Sequence, residues 1–301
     1  MPALSERADF VLPFDVPPLG VFGRLVRLGP TLDQALGRHA YPDPVSTLLG
    51  ELMALAAALS AVIKVDGTFT LQIKSDGAIG LMVADYRAPG ALRGYAQYDE
   101  ARVAKRMGFR PDGPLGIVPR LLGAGHLAFT LDQGPDTERY QGIVGLEGST
   151  LAECVNRYFQ QSEQTKSVAR TAIRKTDQGW RAGALLVQKA PETGSDAEID
   201  AWHEAMAITA TVTDDELLGP AASAEIVADR LFRLAGGRSF ERKALVFGCR
   251  CSRDRVHRLL ASFSPEEVDA TVVDGRIEVK CEFCSSAYRF DRSEIEPVAS
   301  P

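Results

Sequence analysis

Cysteine is the residue type in this chain best placed to do chemistry. Four of the five cysteines fall in two tight pairs: Cys249-Arg250-Cys251, then 29 residues, then Cys281-Glu282-Phe283-Cys284. Zinc prefers four soft or borderline donors in a tetrahedron, with Zn–S near ~2.3 Å, and two close pairs can supply four thiolates from opposite sides. The spacing therefore reads as one zinc per chain held by Cys249, Cys251, Cys281 and Cys284. Two other readings of the same residues stand beside it: two unrelated buried pairs, or a dithiol site using Cys281 and Cys284 alone. A thioredoxin-like site needs its C-x-x-C early in a βαβ unit, whereas this one lies near the chain's end. His257 is the nearby alternative ligand, and four cysteines make it superfluous. Cys154 differs, because it shares a helical stripe with Leu151, Val155 and Tyr158 and reads as a small buried hydrophobe.

A zinc tetrathiolate is anionic, and Arg250, Arg253, Arg255, Arg258 and Lys280 crowd the same region. They read as charge compensation or a solvated face, or as a field that steers anionic partners. No phosphate loop and no G-x-S-x-G elbow appears, so neither ATP nor acyl-transfer chemistry is supported. A zinc deaminase needs H-x-E ahead of P-C-x-x-C, but Lys280 precedes Cys281 here. A site filled by four thiolates leaves no position for catalytic water. The reading is a protein that is not an enzyme.

The elements that must position these cysteines are short. Val256, Leu259, Leu260 and Phe263 make one helical face, and Ser264-Pro265-Glu266-Glu267 is a helix start with a capping box. Gly275 turns the chain into an alternating strand, Ile277-Val279-Cys281, and Tyr288 and Phe290 alternate on the strand after the second pair. A domain this small usually needs a metal or disulfide staple.

The remainder divides in two. At 301 residues the chain exceeds a typical single domain, so two compact units plus a connector are expected. Up to about Ala190, strand-like segments alternate with a few helices. Asp43-Pro44 opens a helix through roughly Lys64; Phe69, Leu71 and Ile73 alternate before the Asp76-Gly77 turn; and Leu127, Phe129 and Leu131 alternate likewise. Thr150 with Glu153 caps a helix to about Gln164, and SVARTAIRK and ALLVQK read as strands. The segment 191–248 carries eleven Asp/Glu against five Lys/Arg. Its stripes are thin: Ile199, Trp202, Met206 and Thr209, then a helix capped by Thr213 and Glu216, then Val227, Leu231 and Leu234 before Gly236-Gly237. Helices of this kind must draw their stability from docking. The fold class is therefore α+β: an N-terminal mixed domain with a largely antiparallel sheet (1–190), a helical linker (191–243) and a small C-terminal zinc-binding domain (244–301).

Composition agrees with a cytoplasmic protein. The apolar stretch Leu48–Val65 is broken by Gly50, Glu51, Ser60 and Lys64, which argues against a membrane span, and the first ten residues carry no secretory pattern. Close cysteine pairs in that setting indicate metal or redox chemistry rather than structural disulfides. The net charge of −6 argues against nucleic acid as the main partner. A zinc-ribbon nucleic-acid module, favoured by the arginines after Cys249, and a dithiol oxidoreductase remain the competing classes.

Three stretches together carry a resemblance: HAYPDPV before the first long helix, RYQGIVGLEGSTLAECVNRYFQQSEQ, and FGCRCS…CEFCSSAYRF. The chain resembles, nearly end to end, the redox-regulated heat-shock chaperonin family of about 33 kDa, so that function can be argued by analogy. The resemblance implies an ATP-independent holdase that binds unfolded or oxidatively damaged client proteins. It implies that 1–190 binds clients, that 191–243 is metastable, and that 244–301 is a redox switch. Zinc-bound and reduced, the protein would be inactive. Oxidation would pair Cys249 with Cys251 and Cys281 with Cys284, activating it, with a homodimer in the oxidised state. One residue departs from the pattern: the family usually has glycine after the last cysteine, and here stands Ser285. A positive φ there would cost serine about 1–3 kcal/mol.

Overall fold

Alternation in the strands and a continuous apolar run in one helix set the architecture of the computed structural model, which describes residues 9–60, 67–108, 116–134, 137–161, 166–190, 196–219 and 222–295. The chain forms two compact units, Met1–Phe247 and Gly248–Pro301. In chain order the first begins with β1 (Phe10–Val16), β2 (Val21–Leu28), α1 (Pro30–Leu36), α2 (Asp43–Ser60), β3 (Thr68–Ser75), β4 (Ile79–Arg87) and β5 (Ala91–Tyr98). It continues with α3 (Glu100–Gly108), α4 (Ile117–Leu121), β6 (Gly125–Asp132), β7 (Tyr140–Gly145), α5 (Leu151–Gln161), β8 (Ser167–Thr176) and β9 (Gly179–Lys189). It ends with α6 (Asp196–Ala210), α7 (Asp214–Leu218), α8 (Ala224–Phe232), β10 (Arg238–Ser239), β11 (Lys243–Ala244) and β12 (Val246–Phe247).

The strands make two sheets where the sequence suggested one. The first runs β10-β1-β2-β9-β8 with β11 also on β1, and every pairing is antiparallel. The second runs β12-β5-β4-β3-β6-β7 and is antiparallel except for β12 beside β5. Both sheets pack on α2, of whose 18 residues fifteen are buried. Its only buried polar side chains are Glu51, Ser46 and Ser60, which explains why its run reads as nearly apolar. Asp43 lies in the first turn and pairs with Lys175 at 2.9 Å, while the carbonyl of Pro42 receives the N–H groups of Val45 and Ser46. The helix is described to Ser60; its expected continuation toward Lys64 lies outside the described residues.

The first sheet is apolar on both faces. Val11, Val26, Ala184 and Leu186 point into the cluster around α2, whereas Phe10, Leu12, Phe14, Leu25, Leu185 and Val187 point the other way. That second face is covered by α6, α7 and α8, through Trp202, Ala205, Val212, Leu217, Val227, Leu231 and Phe232. Polar contacts fix the register. Arg27 donates to the carbonyls of Glu216 and Leu217 at 2.7 and 3.2 Å, and Arg174 pairs with Asp215 at 2.7 Å. Gly183 is required for close approach, because a Cβ there would sit 2.5 Å from the Leu217 carbonyl oxygen. Two expected stripes are corrected. Trp202 and Thr209 are buried, but Ile199 and Met206 are exposed, and the buried face of α6 follows Trp202-Ala205-Thr209. Leu234 is 99% exposed because α8 stops at Phe232 and a single 3-10 turn rotates it outward before Gly236, at φ 80°.

The second unit holds α9 (Arg253–Ala261), α10 (Pro265–Asp269) and the hairpin of β13 (Arg276–Lys280) and β14 (Ala287–Asp291). Ser252 caps α9, and the Ser264–Glu267 capping box with Pro265 in the first turn opens α10. Its fully buried apolar core is six residues: Val256, Leu260, Val268, Ile277, Phe290 and Ile295. Leu259 and Phe263, expected on the same face, are exposed. So small a core cannot supply much stability of its own.

Candidate metal centre

The two cysteine pairs sit on two turns. Cys249 and Cys251 lie on the extended segment that enters α9, just before its cap Ser252. Cys281 and Cys284 occupy the turn joining β13 to β14, closed by Cys281 N–H to the Ser286 carbonyl at 2.9 Å and Ser285 N–H to the Cys281 carbonyl at 2.8 Å. This turn forces Ser285 into the left-handed region, φ 55°, which is the conformation that favours glycine. All five cysteines are free thiols.

The fold brings the four predicted sulfurs together, all within 4.8 Å of one another. The short contacts run between the pairs: Cys249 to Cys281 at 3.7 Å and Cys251 to Cys284 at 3.2 Å. A tetrahedral metal with bonds of ~2.3 Å spans ~3.8 Å between its sulfurs, so the cluster fits a four-coordinate ion closely. His257 is not among the grouped ligands; its Nε2 lies 2.9 Å from the Glu294 carbonyl oxygen. Arg253 also has a structural part, bonding the Arg289 carbonyl and Glu294 and lying 4.3 Å over the Phe290 ring.

The electrostatics ask for a cation. Burial pushes the Cys251 thiol up to about 12, and it raises Cys281 as well although that sulfur accepts the N–H groups of Cys284 and Phe283. Cys284 goes the other way: burial raises it, but hydrogen bonds from Ser286 and the neighbouring thiols outweigh that and bring it to about 6. A bound metal's positive charge would favour the thiolate form of the ligating sulfurs. Cys154, fully buried in the first unit, has its thiol raised to about 11 by burial and belongs to the core, as its stripe suggested.

Sequence reasoning missed two partners of the sulfurs. Tyr288 Oη donates to Cys251 Sγ at 3.1 Å, and Ser286 Oγ lies 3.2 Å from Cys284 Sγ. The available signal was position: both lie within four residues of Cys284, Ser286 at the end of its turn and Tyr288 on the strand that follows.

Among solved structures, the crystal structure of the 33 kDa chaperonin (Heat shock protein 33 homolog) from Thermotoga maritima superposes with a TM-score of 0.78. It covers 95% of this chain and 96% of that one at 22% identity, a likeness of fold. By sequence, the chain is 43% identical over 290 residues to the 33 kDa chaperonin of Caulobacter vibrioides, covering 94% of this chain and 95% of that one. The 33 kDa chaperonin of Pseudomonas fluorescens (strain SBW25) is 36% identical over 278 residues, 91% of this chain and 87% of its own. An α+β body with its own core, followed by a minimal unit built around four free thiols, is a redox-regulated molecular chaperone. The sequence profile described as Hsp33 protein matches residues 9–291, and the chain belongs to the Hsp33 family.

Proposed function

We propose that this protein is an ATP-independent holdase of the cytoplasm, not an enzyme, inactive while reduced and zinc-bound and activated by oxidation. The observation that carries the reading is the apolar sheet face beneath α6–α8. Undocking that cover exposes Phe10, Leu12, Phe14, Leu25, Leu185 and Val187, a surface suited to unfolded or oxidatively damaged clients. Residues 1–190 then act as the client-binding domain, 191–243 as a metastable linker and 244–301 as the switch. Neither a membrane nor nucleic acid is proposed as a partner, and the oxidised form is proposed to dimerise.

Cys249, Cys251, Cys281 and Cys284 are the proposed zinc ligands, one ion per reduced chain. Zinc, when bound, would offset part of the thiolates' charge and tie the two turns together, which in small peptides is worth about 10–16 kcal/mol. A six-residue core cannot replace that. Oxidation to Cys249–Cys251 and Cys281–Cys284 disulfides closes very short loops, and short crosslinks restrict the unfolded chain little. The second unit then opens and, on this proposal, the linker is released with it. The folded geometry makes the pairing diagnostic, since the sulfurs in contact belong to opposite pairs. Sequence-neighbour disulfides require the unit to open, whereas cross-linkage of Cys249 to Cys281 would show oxidation within the folded unit.

The test compares reduced and oxidised samples in suppressing aggregation of a denatured protein, with disulfides mapped in each. Activity confined to the oxidised sample, with neighbour pairs, is expected. Equal activity in both would refute the switch.

A further inference from the structure

We propose that Tyr288 is a positioning residue that sets how fast the cysteine cluster responds to peroxide, through the hydrogen bond its Oη donates to Cys251 Sγ at 3.1 Å. The inference rests on the zinc reading above. Its basis is the way the tyrosine is held. Tyr288 lies on β14 opposite Val279 of β13, and its ring packs against the core of the second unit, so the hairpin aims the hydroxyl. Cys281, by contrast, takes hydrogen bonds from N–H groups of its own turn, and Cys284 meets Ser286 two residues on. The Tyr288 bond crosses from the hairpin to the segment carrying the other cysteine pair.

A donor on a thiolate draws charge out of the lone pair that must attack an oxidant, and so slows the attack. The step is two-electron. The Cys251 thiolate forms a bond to one oxygen of hydrogen peroxide, the O–O bond breaks, and hydroxide leaves. Sulfur is oxidised to the sulfenic acid while peroxide is reduced. A second cysteine thiolate then displaces hydroxide from that sulfur to give a disulfide. As the sulfur lone pair is consumed in the first step, the Tyr288 bond is lost with it. The donor therefore stabilises the reduced state more than the transition state.

The test uses the full-length reduced protein and its Tyr288→Phe variant, which keeps the ring and removes the donor. Zinc release is followed with a chromophoric chelator, once with hydrogen peroxide and once without. Expected is a roughly fivefold faster peroxide-driven release in Tyr288→Phe, the scale of a hydrogen bond to a thiolate that is only partly lost in the transition state, with chelator-driven release changed less than about twofold. Peptide mapping of brief alkylation should show the gain at Cys251. Equal peroxide rates overturn the proposal, and so do peroxide and chelator rates rising together, which mark a merely structural role. If Tyr288→Phe does not fold, 3-fluorotyrosine placed at 288 decides: a stronger donor must slow peroxide-driven release, and an unchanged or faster rate overturns the idea. Wild-type protein that carries no zinc refutes the underlying reading instead, and the first measurement shows it.

Discussion

The two faces of the first sheet are covered by helices of very different make. On one face lies α2, with fifteen buried residues and hardly a polar group. On the other lie α6–α8, three shorter helices in an acidic segment, which leave Ile199, Met206 and Ile226 exposed and hold on partly through ion pairs and Arg27. Both faces of the sheet bury apolar side chains, so the asymmetry lies in the covers. A helix that is apolar all round is committed to a core. A set of short amphipathic helices docked over the same kind of surface costs less to remove and leaves the sheet folded underneath. The difference separates a permanent interior from a surface that can be uncovered.

The sharpest way to break this comparison is to remove one cover entirely. A chain ending at Ala190 should suppress aggregation without any oxidant, and retained inactivity would show that α6–α8 hide nothing that clients use. Placing the same charge under each cover separates them next. Leu52→Asp puts a carboxylate into the α2 core and should abolish folding of the first unit, as read by loss of its cooperative melt. Trp202→Asp should cost about 2–5 kcal/mol against docking of α6 alone. It should give a reduced, zinc-loaded protein with holdase activity and a nearly unchanged melt. Identical behaviour of the two variants would erase the distinction.

Two smaller effects sharpen it. Ser285→Gly relieves the left-handed strain in the cysteine turn and should tighten zinc retention by about 1 kcal/mol, seen as a slower loss to a chelator. It should leave the docking of both covers untouched. The last effect is on pH. A hydrogen bond from Arg242, which lies over the Phe10 ring of the sheet, lowers Glu225 of α8 from 4.5 to about 2. A depressed carboxyl contributes fully above its unfolded value and loses that contribution as pH falls through the folded one. Docking of α8 should therefore weaken between about pH 4.5 and 2 in wild type but not in Arg242→Ala, measured in a Trp180→Phe background by fluorescence of Trp202 on the neighbouring α6.

Much of this was legible in residue order. The capping boxes at Thr213 and Ser264 and the alternation of Phe69, Leu71 and Ile73 are local chemistry, and each appears where its residues require. The wrong stripes fail for a shared reason. Helical spacing lists residues that can share a face, but the neighbour decides which face is used. Ile199, Met206, Leu259 and Phe263 are apolar, correctly spaced and exposed. The linker's acidity was readable, whereas its seat on the first sheet was not, because that contact joins residues such as Arg27 and Glu216 across nearly two hundred positions.

The sequence by itself pointed to the donor set: four thiols in two close pairs, on a segment with little apolar core of its own. The resemblance singled out Ser285, and the structure supplied the reason, a left-handed φ of 55° that serine tolerates poorly. Only the tertiary structure decided which sulfurs touch, that Tyr288 reaches Cys251, and that a helical segment covers one face of a sheet whose other face is core. The physical reason is range. Ligand chemistry and backbone strain act over a few residues and are written locally. Contacts between distant strands and helices depend on shape complementarity, which no single segment contains.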